Sequence, residues 1–197
     1  MILLRHRLSS AFLSLFVLWL FIPGALLGSG RVDYVPQPFF TAAQTEAQMH
    51  NAEVAAERID GRLLWPGEEF SFWEKAGPFD SAHSYVYGFG VLNGKVVPAF
   101  AGGVCITSTA VYRAVYAAGL EVLERHVHGV PLKWARGDDA AVSFRVNPDG
   151  TMERGWDLRF RNTSGVPLVV KARRSGRTVK VELRKLEPLA KFELGDW

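Results

Sequence analysis

The pattern of hydrophobic and polar positions predicts two amphipathic helices in the first two thirds of the chain. Residues 42–59 carry apolar side chains at helical spacing, and Thr41 with Gln44 forms a capping box at their start. Residues 104–118 carry a second helical repeat, and Gly119 is suited to end it. Both segments have the length of ordinary globular helices.

Shorter apolar runs predict strands in the remainder of the chain. Asn93-Gly94 lies between the apolar runs 85–92 and 95–97, which is a strong signal for a two-residue β-hairpin. Further predicted strands cover residues 70–73, 120–125, 140–146, 156–161, 166–173 and 178–184. The order of elements therefore predicts an α+β fold, in which two helices pack on a mainly antiparallel sheet.

The first thirty residues are predicted to form an N-terminal hydrophobic helix. Arg5 and Arg7 provide a positive leader, and residues 8–27 contain no charge, a run close to the roughly 20 residues that a membrane-spanning helix needs. Pro23-Gly24, followed by the small residues 28–30, is typical of a cleavage site. A cleaved signal peptide and a membrane anchor both remain open, and both predict an exported protein in the cell envelope.

Composition agrees with one exported globular domain. Residues 1–30 hold two of the 23 Lys and Arg residues and no acid, so the rest of the chain carries 21 basic and 20 acidic side chains. This balance gives no basic surface for nucleic acid, which is not an expected partner. We divide the chain into a leader or anchor (1–30), a linker (31–40), the α+β domain (41–186) and a C-terminal tail (187–197), and no oligomeric state is predicted.

The chain contains a single cysteine, Cys105, at the predicted start of the second helix. One thiol cannot form an intramolecular disulfide, so in an exported protein we expect it either to be buried or to have a chemical function. Gly102 and Gly103 directly before it allow close approach of backbone and substrate. Because amides at a helix start favour a thiolate, Cys105 is a candidate nucleophile.

Five polar residues are the candidate partners of this thiol. His126 and His128 follow a predicted strand, and their spacing puts both on one face if the strand continues, so either can act as the base. Asp139 at the start of the next strand is the candidate to orient the imidazole. Ser108 and Thr109, on the helix near Cys105, are candidate substrate-binding hydroxyls.

Two other interpretations compete for the same atoms. A free cysteine is often simply a small buried apolar residue. Cys105, His126, His128 and Asp139 also offer zinc ligands, but they lack the short paired spacings of known zinc motifs. We therefore predict neither a metal nor a cofactor.

Five blocks along residues 51–184 resemble, in order, the VanW-like protein family. The blocks are Pro66-Gly67-Glu68-Glu69-Phe70-Ser71-Phe72, Gly102-Gly103-Val104-Cys105, Glu124-Arg125-His126-Val127-His128, Gly137-Asp138-Asp139-Ala140-Ala141-Val142 and Asp157-Leu158-Arg159-Phe160-Arg161-Asn162. The resemblance implies a bacterial cell-envelope protein, from a group named for an accessory protein of glycopeptide resistance, and leaves the reaction open. Ile106 and Arg113 depart from the glutamine and asparagine usual in that family.

Two functions of different classes follow from these residues. The first is a thiol-dependent hydrolase or transpeptidase acting through Cys105 on peptidoglycan stem peptides. The second is a non-catalytic envelope module that binds the wall or a membrane partner with the same groove. Ile106 bears on the choice between these two functions. An enzyme would be impaired without the side-chain amide that family members usually carry at this position, whereas a binding module would not need it.

Overall fold

The architecture is α+β, as seen in a computed structural model that describes residues 21–36, 38, 40–92, 95–135, 137–149 and 152–188. Its helices are α1 (Ala42–Ile59), α2 (Phe72–Ala76) and α3 (Val104–Ala117). Its strands are β1 (Phe21–Asp33), β2 (Leu63–Leu64), β3 (Glu69–Ser71), β4 (Tyr87–Leu92), β5 (Lys95–Phe100), β6 (Glu121–Glu124), β7 (Phe144–Val146), β8 (Met152–Arg154), β9 (Arg159–Arg161), β10 (Leu168–Ser175) and β11 (Thr178–Pro188). Within this described part, no helix has the length and hydropathy required to cross a membrane.

The main sheet has the order β1-β11-β10-β2, with antiparallel pairs throughout. Helices α1 and α3 pack on it, and alternate residues of β11 (Val179, Val181 and Leu183) are fully buried in the core between them. The capping box predicted for α1 is present, since Thr41 accepts from the Gln44 amide and the Gln44 side chain accepts from the Thr41 amide.

Helix α3 lies directly against β1, and two glycines make this contact possible. A Cβ added at Gly30 would lie 1.9 Å from the carbonyl oxygen of Ala110, and one added at Gly28 would lie 2.3 Å from that of Ala114. Any larger residue would push the helix off the strand. The smallness of residues 28–30, which suggested a cleavage site, therefore has a packing role in the fold.

Three smaller sheets surround this layer. β3, β9 and β6 form an antiparallel three-stranded sheet, in which Phe70 stacks on Phe160 with ring centroids 4.9 Å apart. β4 pairs with β5 as the predicted hairpin, and β7 pairs with β8. The β4–β5 hairpin and the loops after β6 enclose the start of α3.

The structure corrects the predicted elements at two places. Residues 21–33 form β1, so the part of the predicted hydrophobic helix from residue 21 onward is a strand, and so is the start of the predicted linker. Residues 1–20 lie outside the described part of the chain. Residues 72–76 form the extra helix α2 where a strand was predicted, because Ser71 caps it by accepting from the Glu74 amide. Cys105 thus lies in the third α-helix, which is the second long one.

Candidate functional site

Cys105 is the second residue of α3, and the turn before it is closely packed. Gly103 is the N-cap residue with φ 117°, and a Cβ there would lie 2.3 Å from the Gln48 carbonyl oxygen. A Cβ on Gly102 would lie 2.4 Å from the Phe89 amide nitrogen. The buried amide of Asn51 donates to the Gly102 carbonyl oxygen over 2.9 Å. The two glycines are therefore needed to seat the helix start against α1 and β4.

The sulfur of Cys105 lies between a backbone segment and an imidazole. The Val142 amide donates to Sγ over 3.4 Å, and the Val142 carbonyl oxygen lies 3.5 Å from Sγ. The imidazole of His128 is close enough to Cys105 for the two side chains to interact electrostatically. The sulfur is therefore surrounded by a backbone amide, an imidazole and the start of a helix.

His128 connects the sulfur to Asp139. Its Nδ1 makes a short hydrogen bond with Asp139 Oδ2, and its backbone amide donates to the same oxygen over 2.9 Å. Because Nδ1 is hydrogen-bonded to the Asp139 carboxylate, Nε2 is the ring nitrogen that can interact with Cys105. Burial by itself lowers the pKa of His128, but the hydrogen bond and charge of Cys105, together with those of Asp139, outweigh it and raise the pKa to about 9.

Asp139 is buried, with only 3% of its surface exposed. Burial raises the pKa of its carboxyl, but the hydrogen bonds from the His128 backbone and side chain outweigh it, so the pKa lies below its usual value. The carboxylate is therefore ionised at neutral pH and holds the imidazole in one orientation.

Two arginines hold the loop that carries Asp139. Arg125 donates to the carbonyl oxygens of Asp139 over 2.8 Å and Gly137 over 2.6 Å, and its guanidinium lies 4.2 Å from the centre of the Tyr112 ring. Arg113 donates to both carboxylate oxygens of Asp138, over 2.9 and 2.7 Å.

Arg113 also reaches two neighbouring segments. It donates to the Trp134 carbonyl oxygen over 3.2 Å and to the Arg31 carbonyl oxygen over 2.6 Å. This residue, one of the two departures from the family pattern, thus fastens α3 to β1 and to the loop before Asp139. Its role is positional, and the sequence alone gave no signal for it.

His126 lies apart from this group. β6 ends at Glu124, so the alternation that would have put both histidines on one face does not continue. His126 Nε2 lies 3.1 Å from Glu124 Oε1, and the ring stacks on Trp156 with centroids 5.0 Å apart. The structure thus brings Cys105, His128 and Asp139 together and leaves His126 outside.

The hydroxyls of Ser108 and Thr109 are fully buried and already engaged. Ser108 Oγ donates to the Ala140 carbonyl oxygen over 2.6 Å, and Thr109 Oγ1 accepts from the Ala140 amide over 3.0 Å. They join α3 to the segment between Asp139 and Val142. The structure therefore places them behind the sulfur, away from the surface that substrate would touch.

A cleft with a volume of about 470 Å³ opens over Cys105 and His128. One wall is the β4–β5 hairpin, the floor is the start of α3 with Gly102 and Gly103, and the other wall is formed by residues 141–144, Val146 and Trp156. The buried Ile106 lines it as well. Sequence reasoning missed Trp134 and Trp156 in this lining, because nothing in their spacing signals that they lie on one cleft.

Among the described residues, no three His, Cys, Asp or Glu side chains are grouped so as to hold a metal ion. His126, one of the four ligands in the zinc interpretation, instead makes its contacts with Glu124 and Trp156. The remaining group, Cys105, His128 and Asp139, is arranged as nucleophile, base and orienting acid, which is the order of partners used in thiol catalysis.

Comparisons with known proteins agree with the blocks seen in the sequence. Residues 47–184 match the family described as VanW like protein. The chain is 31% identical over 124 residues to the vancomycin B-type resistance protein VanW of Enterococcus faecalis (strain ATCC 700802 / V583), covering 62% of this chain and 44% of that protein. It is 28% identical over 142 residues to the uncharacterized protein YoaR of Bacillus subtilis (strain 168), covering 72% of this chain and 44% of that protein. The chain thus spans less than half the length of these relatives, and no solved structure matches it.

Proposed function

Because the chain belongs to the VanW-like family, we propose that it works in the bacterial cell envelope as a thiol-dependent hydrolase or transpeptidase. Peptidoglycan stem peptides are the proposed acyl donors, and Cys105 is the proposed nucleophile. The E. faecalis relative is named a vancomycin resistance protein, which supports an accessory role in antibiotic resistance as part of the same proposal. An N-terminal signal peptide or anchor would deliver the domain to the envelope.

The observation that carries this proposal is the grouping of Cys105, His128 and Asp139 at the edge of a cleft, where Asp139 hydrogen-bonds the imidazole that interacts with Cys105. A structural cysteine needs no histidine beside it, and a structural histidine needs no buried carboxylate behind it. Perturbed titratable groups in a cleft of this size are typical of catalytic sites.

The chemistry proceeds in two balanced steps. The thiolate of Cys105 attacks the carbonyl carbon of a peptide bond, the S–C bond forms, and the C–N bond breaks as His128 gives its proton to the leaving amine. His128 then takes a proton from water or from a second amine, which attacks the thioester and releases the sulfur. Water gives hydrolysis and an amine gives transpeptidation, and the backbone amide of Cys105 at the start of α3 is the proposed donor to the oxyanion.

The test measures the rate at which a thiol-reactive probe labels Cys105 between pH 4 and 10. His128→Ala is the test variant and His126→Ala is the matched control, since His126 lies two residues away without touching the sulfur. We expect His128→Ala to reduce labelling at pH 6 by at least tenfold and His126→Ala to leave it within about twofold. Equal labelling rates in all three proteins would refute the nucleophile assignment.

Incubation with muropeptides then tests the substrate class. The expected result is a mass change in the muropeptides that Cys105→Ser abolishes. A mass change that persists in Cys105→Ser would belong to a contaminating enzyme. If the thiol is reactive but no muropeptide changes in mass, Cys105 remains the proposed nucleophile and muropeptides are excluded as its substrates.

A non-catalytic binding module is the second candidate, and one observation favours it. The backbone of Val142 contacts the sulfur through both its amide and its carbonyl oxygen, which is also how a resting structural thiol is held. In that case wall fragments would bind Cys105→Ser as tightly as the wild-type protein, without turnover in either. Isothermal titration calorimetry with muropeptides separates the two functions.

A further inference from the structure

The lining of the cleft over Cys105 lacks the charged side chains with which a charged substrate group would pair, as far as its described residues show. None of the described residues that line it is Asp, Glu, Lys or Arg. The walls are apolar and aromatic, with Phe89, Phe100, Ile106, Phe144 and Trp156 among them.

The few polar side chains in the lining are already paired with the protein. The Tyr34 hydroxyl donates to Gln48 Oε1, and Gln48 Nε2 donates to the Phe89 carbonyl oxygen over 3.0 Å. Ser143 Oγ accepts from the Trp156 amide over 2.8 Å. Burial raises the pKa of Tyr34 to about 12, so this hydroxyl stays neutral.

Among the described lining residues, His128 is the one with a positive charge, and its ring is already engaged. Its Nδ1 is paired with Asp139, and the ring also interacts with Cys105. A substrate carboxylate or ammonium in the cleft would therefore lose its hydration without gaining an ionic partner, which is strongly unfavourable.

We propose that the cleft accepts an uncharged, apolar acyl group, and that it rejects acyl groups carrying a carboxylate or an ammonium. The proposal rests on the proposed function in taking Cys105 as the acyl acceptor. It narrows the peptide substrates to those whose acyl residue has a small or apolar side chain, such as alanine, and excludes acidic and cationic residues at that position.

The experiment uses three p-nitrophenyl esters of matched length: hexanoyl, adipoyl with a free terminal carboxylate, and 6-aminohexanoyl. The thiolate of Cys105 displaces p-nitrophenolate, so the released phenolate and the mass of the acylated protein report the same step. Each rate is divided by the rate of glutathione with the same ester, which removes intrinsic reactivity. We expect the hexanoyl ester to acylate Cys105 at least tenfold faster than either charged ester on this scale.

A charge introduced at the mouth of the cleft gives a second, gain-of-function readout. Val146 lines the cleft and is 52% exposed, whereas Val127 is 50% exposed and lies outside the lining. We expect Val146→Lys to raise the normalised adipoyl rate severalfold with little effect on the hexanoyl rate. Val127→Lys is the matched control and should change neither rate.

The outcomes separate this proposal from the proposed function. Adipoyl acylation as fast as hexanoyl acylation would overturn the apolar specificity and leave Cys105 as a nucleophile. If no ester acylates the wild-type protein faster than His128→Ala, the proposed function fails instead. Tryptophan fluorescence titration of Cys105→Ser with hexanamide and adipic acid monoamide then decides the specificity, because preferential binding of hexanamide supports it and equal binding overturns it.

Discussion

At the scale of residues, the candidate site depends on which polar groups are left facing the cleft. The sequence suggested Ser108 and Thr109 as substrate-binding residues, yet both hydroxyls are hydrogen-bonded to the backbone of Ala140. His126 and His128 looked equivalent in the sequence, yet of the two only His128 interacts with Cys105. Sequence spacing gives residue types and approximate faces, but it cannot give the hydrogen-bond partners that decide these roles.

The raised pKa of His128 predicts how stability and reactivity depend on pH. The folded-state pKa of about 9 lies above the unfolded value near 6.5, so the pair contributes stability that is complete below about pH 6.5 and is lost as the pH rises through about 9. We expect His128→Gln to lower the free energy of unfolding by roughly 2 to 3 kcal/mol at pH 6 and by much less at pH 10. Urea denaturation at the two pH values checks this, and an equal loss at both would contradict it.

The buried hydroxyl of Ser108 gives a prediction that separates a structural role from a binding role. We expect Ser108→Ala to cost about 1 to 2 kcal/mol of stability, because the Ala140 carbonyl oxygen loses a buried donor. Thermal unfolding measures that cost. If Ser108→Ala instead keeps its stability and loses affinity for muropeptides, the hydroxyl binds substrate after all.

At the scale of elements, the long periodic segments were predictable and the irregular ones were not. α1 spans the predicted residues and α3 ends one residue early, because their apolar repeats and caps are local signals. α2 was missed because five residues carry too little periodicity to outweigh their aromatic, strand-like composition. β1 was missed because a continuous apolar run suits a leader helix as well as a buried strand.

The contact between β1 and α3 predicts that a single methyl group added at Gly30 lowers the stability of the fold strongly. Gly30→Ala would place Cβ against the Ala110 carbonyl oxygen, and we expect a loss of at least about 2 kcal/mol as the helix shifts. Gly129→Ala is the control, since a Cβ there meets nothing within 4 Å. Denaturant unfolding of both variants tests it, and similar midpoints would show that α3 does not pack on β1 as described.

At the scale of the whole molecule, the α+β class followed from the sequence, but the path of the sheet did not. The order β1-β11-β10-β2 pairs the first described strand with the last, and no local pattern specifies such a distant partner. The cleft was equally hidden, because its walls come from three separate parts of the chain that only this topology brings together.

This topology makes a prediction about processing at the N-terminus. Cleavage near residue 30 would remove most of β1 and uncover both an edge of β11 and a face of α3. If the chain is exported as proposed, we therefore expect any signal peptide to be cut off before residue 21. N-terminal sequencing of the mature protein checks this, and an N-terminus at residue 31 would contradict it.

A chain that starts at residue 34 should accordingly fail to fold cooperatively, whereas one that starts at residue 21 should give a single unfolding transition. Circular dichroism melts of the two chains compare them under the same conditions. A cooperative melt of the shorter chain would show that the sheet closes without β1.

The pairing of β1 with β11 also sets the order of folding events during synthesis. Asp33 and Thr178 face each other across 145 residues of chain. β1 is among the first described segments to leave the ribosome. It cannot pair until β11 has been synthesised, because its partner is the last described strand. Closure of the main sheet is thus a late, non-local event, and such events are slow. The chain is therefore still open for most of its synthesis, which is the state in which a polypeptide can be threaded through a membrane channel.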